Sequence, residues 1–280
     1  MLRNYTQVRC SGCGLIYLNP RPTGISVQES HKQAGYDPFL SIREAKGILE
    51  TGFVLARRIT LKWKSRLIRR LLPCSGRILD VGCGTGEFIA ILKDDYSVTG
   101  VEPEPEAARW ARDRLGLYVF TGDLSVLPKS EPAFDLVSLW HVLEHLPDPR
   151  QTLVEICWRL KPGGTMLIAM PNIAAFDARI YREYWVALDP PRHLWHFDQS
   201  HLDALATATG FEMVRSGMLP LDLFYNVIWS EKLYWQVKSG LARCLTAIRA
   251  PITTLLSLIL GTATGRHSGK YYVFRKLDQV

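Results

Sequence analysis

His141, Glu144 and His145 fall within one short stretch, His141-Val-Leu-Glu144-His145. A second polar set, Arg192-His193-Leu-Trp195-His196, follows Trp185 and the pair Pro190-Pro191. Imidazoles titrate near neutral pH and are the usual side chains for taking a proton from a hydroxyl as it attacks. His193 is the first candidate for that base and His145 the second, with Glu144 as the accompanying carboxylate. Arg192 suits an acidic group on a bound molecule, Trp185 and Trp195 suit stacking on a sugar or aromatic ring, and His196 adds to the same lining. Two plainer readings stand beside these: Glu144 and His145 bonding only to loop backbone, and a rigid loop packed by its own aromatic residues. His141, Glu144 and His145 also have metal-ligand types, but the sequence offers no obvious further carboxylates for them, so no metal is assigned.

These residues need elements to hold them. Residues 78–86 read Ile-Leu-Asp-Val-Gly-Cys-Gly-Thr-Gly: an apolar run, the carboxylate of Asp80, then Gly82, Gly84 and Gly86, and a helical pattern beyond. That is a buried strand, a tight turn and a helix start, where open α/β sheets bind nucleotide-like ligands. The dinucleotide spacing Gly-x-Gly-x-x-Gly/Ala would put its last position on Glu87, a bulky acid, which disfavours a nicotinamide enzyme. Further strands are expected at 97–102, 118–121, 134–140, 165–170, 211–215 and 270–276. Helices are expected at 42–72, 86–94, 104–115, 149–160 and 199–209. Alternating βαβ units imply a parallel sheet with right-handed crossovers.

With Asp80 just ahead of its glycines, the loop resembles motif I of the class I S-adenosylmethionine (SAM)-dependent methyltransferases. Acids at later strand ends agree in order: Glu102 in Thr-Gly-Val-Glu102-Pro and Asp123 in Thr-Gly-Asp123-Leu124. The resemblance covers residues 77–172 closely and implies SAM as cofactor, on an α/β, Rossmann-like seven-stranded sheet with an N-terminal appendage and a helical insertion before the last strand. It further implies that Glu102 accepts from the ribose hydroxyls, that Asp123 and the Leu124 amide meet the adenine, and that His141 lies beside the cofactor. Asp80 is expected near the ammonium of the amino-acid tail, and the glycines where backbone approaches the ligand. The loop at 185–197 is similar to that of bacterial methyltransferases found with polysaccharide and glycolipid genes. The expected activity is methyl transfer to a small-molecule, saccharide or lipid-linked acceptor, most simply at a hydroxyl. The alternative is a non-catalytic SAM-binding module acting through its appendages.

Four segments follow from pattern: an appendage at 1–41, the SAM-binding domain at 42–219, an apolar helical insertion at 220–268, and a final strand at 269–280. Cys10-x-x-Cys13 looks like one knuckle of a zinc ribbon whose partner knuckle is missing, so zinc binding stays open. The 280 residues carry a net charge of +7, and the basic run at 57–70 reads first as a solvated helix face. No nucleic acid is expected. The start has no apolar run and the cysteines are unevenly spaced, which suits a cytoplasmic protein with reduced thiols. Residues 226–262 mix apolar, aromatic and basic side chains, compatible with peripheral membrane contact, a lid or a homodimer surface.

Overall fold

The computed structural model describes residues 5–22, 48–131, 133–237 and 241–278. The expected start of the basic helix at 42–47 and most of the appendage lie outside them. A seven-stranded sheet forms the centre, in the order β5-β4-β3-β6-β7-β10-β9. Its strands are β3 (Arg77–Val81), β4 (Ser97–Glu102), β5 (Tyr118–Thr121), β6 (Phe134–Trp140), β7 (Leu160–Pro171), β9 (Phe211–Met218) and β10 (Gly269–Lys276). Strands β5 to β7 run parallel with β3 and β4, and β10 is antiparallel to both β7 and β9. The chain moves outward from β3 through β4 to β5, then returns to place β6 on the other side of β3. That reversal opens a crevice beyond the strand tips.

Apolar strands buried on both faces create two main cores. One packs β3, β6 and β7 against α4 (Pro149–Arg159) and α6 (Gln199–Thr207). The other packs the opposite face against α1 (Ile48–Leu71), α2 (Glu87–Ala90) and α3 (Pro105–Leu115). Local signals set the ends: Asp148 accepts from the Gln151 amide ahead of Pro149, and Gly116 closes α3 with a left-handed residue. α2 is shorter than the expected 86–94, because the amides of Ile91 and Leu92 turn to carbonyls three residues back and tighten the chain out of the α-helix. β7 is longer than expected and takes in Lys161-Pro-Gly-Gly164.

Between β9 and β10 the insertion forms α7 (Asp222–Val237) and α8 (Leu241–Thr264), which pack with α5 (Phe176–Tyr181) over a third, smaller core. The cysteine turn connects β1 (Thr6–Arg9) to β2 (Ile16–Asn19), and it does not stand apart. β2 pairs antiparallel with β8 (Trp195–His196), setting Ile16 opposite His196 and Tyr17 opposite Trp195. The Leu18 amide also donates to the Leu194 carbonyl (2.9 Å).

Candidate cofactor and acceptor site

At the tip of β3, Asp80 is buried and its Oδ1 accepts a hydrogen bond from Ser138 Oγ on β6 (2.6 Å). Burial pushes its carboxyl up to about 7, with Ser138 and Lys64 pulling down and Glu102 pushing further up. A buried carboxylate with so little compensation is well matched to an incoming ammonium. At the tip of β4, Glu102 is also buried. Its oxygens accept from the amides of Gly84 (2.7 Å) and Glu104 (2.8 Å), which ties the glycine turn to the neighbouring strand. Each carboxylate oxygen still has a second lone pair, as ribose hydroxyls require.

The three loop glycines have different reasons. All have positive φ, between 57° and 78°. A Cβ on Gly82 would lie 2.6 Å from Val142 Cγ2, and one on Gly86 2.5 Å from Leu117 Cδ1, so both are dictated by the protein's own packing. Of the three, only Gly84 leaves its Cβ position in open space, so there the backbone is accessible from the crevice. Packing within the protein is thus a second reason for glycine at positions 82 and 86, beside the expected approach to the cofactor. At the tip of β5, Asp123 is exposed and caps the short helical turn 124–126, accepting from the Ser125 amide (2.9 Å) and hydroxyl. Leu124 is buried beside it.

One inward-facing residue near Asp80 was hidden in the basic helix. Lys64 turns inward from α1, with Nζ 4.3 Å from the centre of the Trp140 ring and 5.8 Å from that of Phe88. Burial lowers its pKa to about 8 against the pull of Asp80 and Asp222, with Arg57 pushing the same way as burial. Its neighbours do keep the solvated face expected of them, Arg57 pairing with Glu87 and Arg69 with Asp95. A cation and a carboxylate thus converge at one end of the crevice, complementary to the two charges of an amino-acid tail.

Beyond β6 the chain turns through His141, whose φ is 56°. Its ring lies between Glu144 (3.5 Å) and Asp222 at the start of α7 (3.4 Å). Burial opposes the charge, but these two acids outweigh it and hold the imidazole protonated up to about pH 10. Glu144 is buried as well; burial would raise its pKa, but His141, His145 and His193 hold it well below the usual carboxylate range. Neither Glu144 oxygen has a close hydrogen bond in the structure.

His193 and His145 meet edge to face, ring centres 4.6 Å apart. The Ala187 carbonyl accepts from His193 Nδ1 (2.7 Å) and the Arg192 carbonyl from His145 Nδ1 (3.1 Å). A carbonyl only accepts, so each Nδ1 carries a proton, and Nε2 is the nitrogen left for proton exchange; that of His193 lies 3.8 Å from Asp189 Oδ2. Glu144, His145 and His193 each place one ligand atom within 4.8 Å of the other two, a trio able to hold a metal ion or to share protons. It differs from the His141-centred trio considered on sequence. Glu144, Trp185, Ala187, His193, Trp195 and His196 line a cavity of about 10 Å³, room for one water.

The remaining acceptor-side expectations are redistributed. Trp185 is 2% exposed and donates to Asp177 Oδ2 (2.8 Å), so it is a wall and not an open stacking platform. Trp195 donates to the Leu146 carbonyl (2.8 Å), and the Arg21 guanidinium lies 3.8 Å from the centre of its ring, so that surface is already covered. Arg192 pairs with Asp189 on its own loop (2.7 Å). His196 is buried with Nε2 unpartnered, and burial, helped by His193, drives its pKa down to about 3, which keeps it neutral.

Comparisons with known proteins agree with this geometry. A family model described as a methyltransferase domain (Methyltransf_23) matches residues 55–216, more than half of the chain. Curated relatives include a ubiquinone biosynthesis O-methyltransferase of Xylella fastidiosa, 34% identical over 44% of this chain and 54% of its own length. The protein of that name from Coxiella burnetii is 29% identical over 41% and 52%. The chain spans about half the length of these relatives. Among solved structures, a magnesium protoporphyrin IX methyltransferase from Synechocystis with bound S-adenosylhomocysteine aligns with a TM-score of 0.58, at 12% identity over 90% of this chain and 98% of that one. A Haemonchus contortus phosphoethanolamine N-methyltransferase in complex with SAM gives 0.58, at 17% identity over 94% and 63%. The chain belongs to the methyltransferase-domain family and has the Rossmann-like fold of the class I, SAM-dependent methyltransferases.

Proposed function

We propose that the protein transfers a methyl group from SAM to a hydroxyl of a saccharide, glycolipid or related small acceptor. Bound SAM supplies an electrophilic methyl on a positive sulfonium. The chain's part is to hold the two ends of that molecule, exclude water and set the acceptor oxygen in line, about 3 Å from the methyl carbon. Asp80 and Lys64 face the charges of the tail, Glu102 the ribose, and Asp123 with the Leu124 amide the adenine. Removing the hydroxyl proton falls to the histidine pair, where His193 Nε2 is the first base and His145 Nε2 the second. The buried negative charge of Glu144 favours whichever ring takes the proton.

The observation that carries this reading is the Glu144–His145–His193 cluster just beyond the tip of β6, with a backbone carbonyl holding the Nδ1 proton of each histidine. Hydroxyl chemistry also accords with the names of the curated relatives, which are O-methyltransferases. The cavity beside His193 holds no more than a water, so the acceptor hydroxyl enters as the 185–197 loop yields. The test is turnover with labelled SAM across glycolipid, free sugar and phenolic acceptors, with and without a chelator. His193→Ala is expected to lower turnover about 10²–10⁴-fold while SAM affinity holds. Equal loss of both refutes the base assignment. Loss of turnover on chelation would give the trio to a metal instead. Tight SAM binding with no turnover on any acceptor would favour the non-catalytic module.

A further inference from the structure

The helices α7 and α8 carry a surface the methyl-transfer reading does not use. Half of the large exposed apolar side chains among the described residues lie on these two helices. Ile228, Ile252, Leu255 and Ile259 are each more than half exposed, at 61%, 51%, 58% and 55%. Between the helices an apolar groove of about 460 Å³ runs past Phe224, Ile228, Pro251 and Leu255. A patch of this kind marks an interaction site.

Charge identifies the occupant. From residue 223 to 268 the sequence has one acid, Glu231, and five cations, Lys232, Lys238, Arg243, Arg249 and Arg266. Glu231 is buried, accepts from Tyr181 (2.6 Å) and is doubly bonded by Arg249 (2.8 and 2.9 Å), so the pair cancels. Beyond Asp222, which turns to His141, the exposed charges described on and just after these helices are positive: Arg266 is exposed, and exposed Lys232 lies over the Trp229 ring (4.2 Å). An apolar face with basic residues and tryptophan at its margin is the composition of a helix lying in a bilayer interface. Among the described residues no helix is long and apolar enough to cross a membrane, which leaves lying on it. A second copy of the same face would bring like charges together across a two-fold axis.

We propose that the outward face of α7 and α8 docks on an anionic lipid bilayer. The same helix α7 begins at Asp222, in contact with His141, so docking brings the acceptor site to the membrane surface. That last step rests on the methyltransferase reading; the docking itself does not.

The experiment is co-sedimentation of the full chain with phosphatidylcholine vesicles, with and without phosphatidylglycerol, at low and high salt. The expected result is binding at least about tenfold stronger to the anionic vesicles, weakened by salt. The triple variant Ile252→Gln, Leu255→Gln and Ile259→Gln changes exposed positions only and is expected to lose that binding. Its thermal melt and its SAM affinity by calorimetry report whether it is folded and whether the cofactor site is intact. No binding by folded wild type, equal binding by the folded variant, or equal binding to neutral vesicles overturns the proposal. A wild-type dimer in sedimentation velocity that the variant abolishes assigns the face to a second copy and also overturns it. Loss of SAM affinity in wild type with vesicle binding intact would strike the cofactor reading alone.

Discussion

The carboxyl of Asp80 gives the cofactor site a testable dependence on pH. In the free protein it titrates near 7, against an ordinary value of 3.8, because burial outweighs the help of Ser138 and Lys64. An ammonium beside it favours the ionised form, so protons and SAM compete for the site. Affinity should therefore climb as pH rises toward 7 and level off above it. A group of pKa 7 is ionised in about 9% of molecules at pH 6 and about 76% at pH 7.5, a ratio of about eight, or ~1.2 kcal/mol. Lys64, lowered to about 8, remains mostly protonated across this window and does not cancel the trend. Calorimetric titration with SAM at the two pH values measures the ratio directly. Repeating it in buffers of different ionisation enthalpy counts the proton released. Asp80→Asn should bind SAM weakly at both values with little slope between them. A flat wild-type profile, or an Asp80→Asn variant that keeps the eightfold slope, would refute the pairing of Asp80 with the ammonium.

Other substitutions probe the neighbouring contacts. Glu102→Gln should weaken SAM binding by roughly 10- to 100-fold, the worth of charged hydrogen bonds to two hydroxyls, as read by calorimetry. Lys64→Met keeps the stem but removes the charge. It should raise the SAM dissociation constant several-fold with little change in melting temperature, and unchanged affinity would return Lys64 to a packing role. Gly86→Ala forces a Cβ to within 2.5 Å of Leu117 and 3.0 Å of Ala111 at a φ of 78°, and should cost about 2 kcal/mol or more in denaturant unfolding.

The sheet and its cofactor edge were legible because each buried strand reads as an apolar run that ends in a turn, and tip positions follow directly from those ends. Asp80, Glu102 and Asp123 are all such tips. The reasons for Gly82 and Gly86 were not legible: they lie in Val142 and Leu117, which come near only when the sheet is assembled. Lys64 was masked by its surroundings, since a helix with cations on most faces gives no sign of which one turns inward. The Asp222–His141 contact joins the insertion to the tip of β6, a proximity no local pattern encodes. Likewise β8 has two residues, too few for alternation to show, and its partner lies near the other end of the chain. For Trp185 and Trp195, what the sequence hid is their surroundings: Trp185 is buried, and Trp195 already carries the Arg21 guanidinium over its ring, contacts that only the folded chain brings together.

The small sheet joining β2 to β8 makes the turn around Cys10 and Cys13 a mechanical support of the reaction chamber. His201, in the first turn of α6, holds the Cys13 carbonyl (2.9 Å), so the turn is clasped from two directions. Tugging on it, by cross-linking the thiols or cutting the chain between β1 and β2, should slacken the wall behind His193 and spoil acceptor handling while leaving nucleoside retention at the far strands untouched.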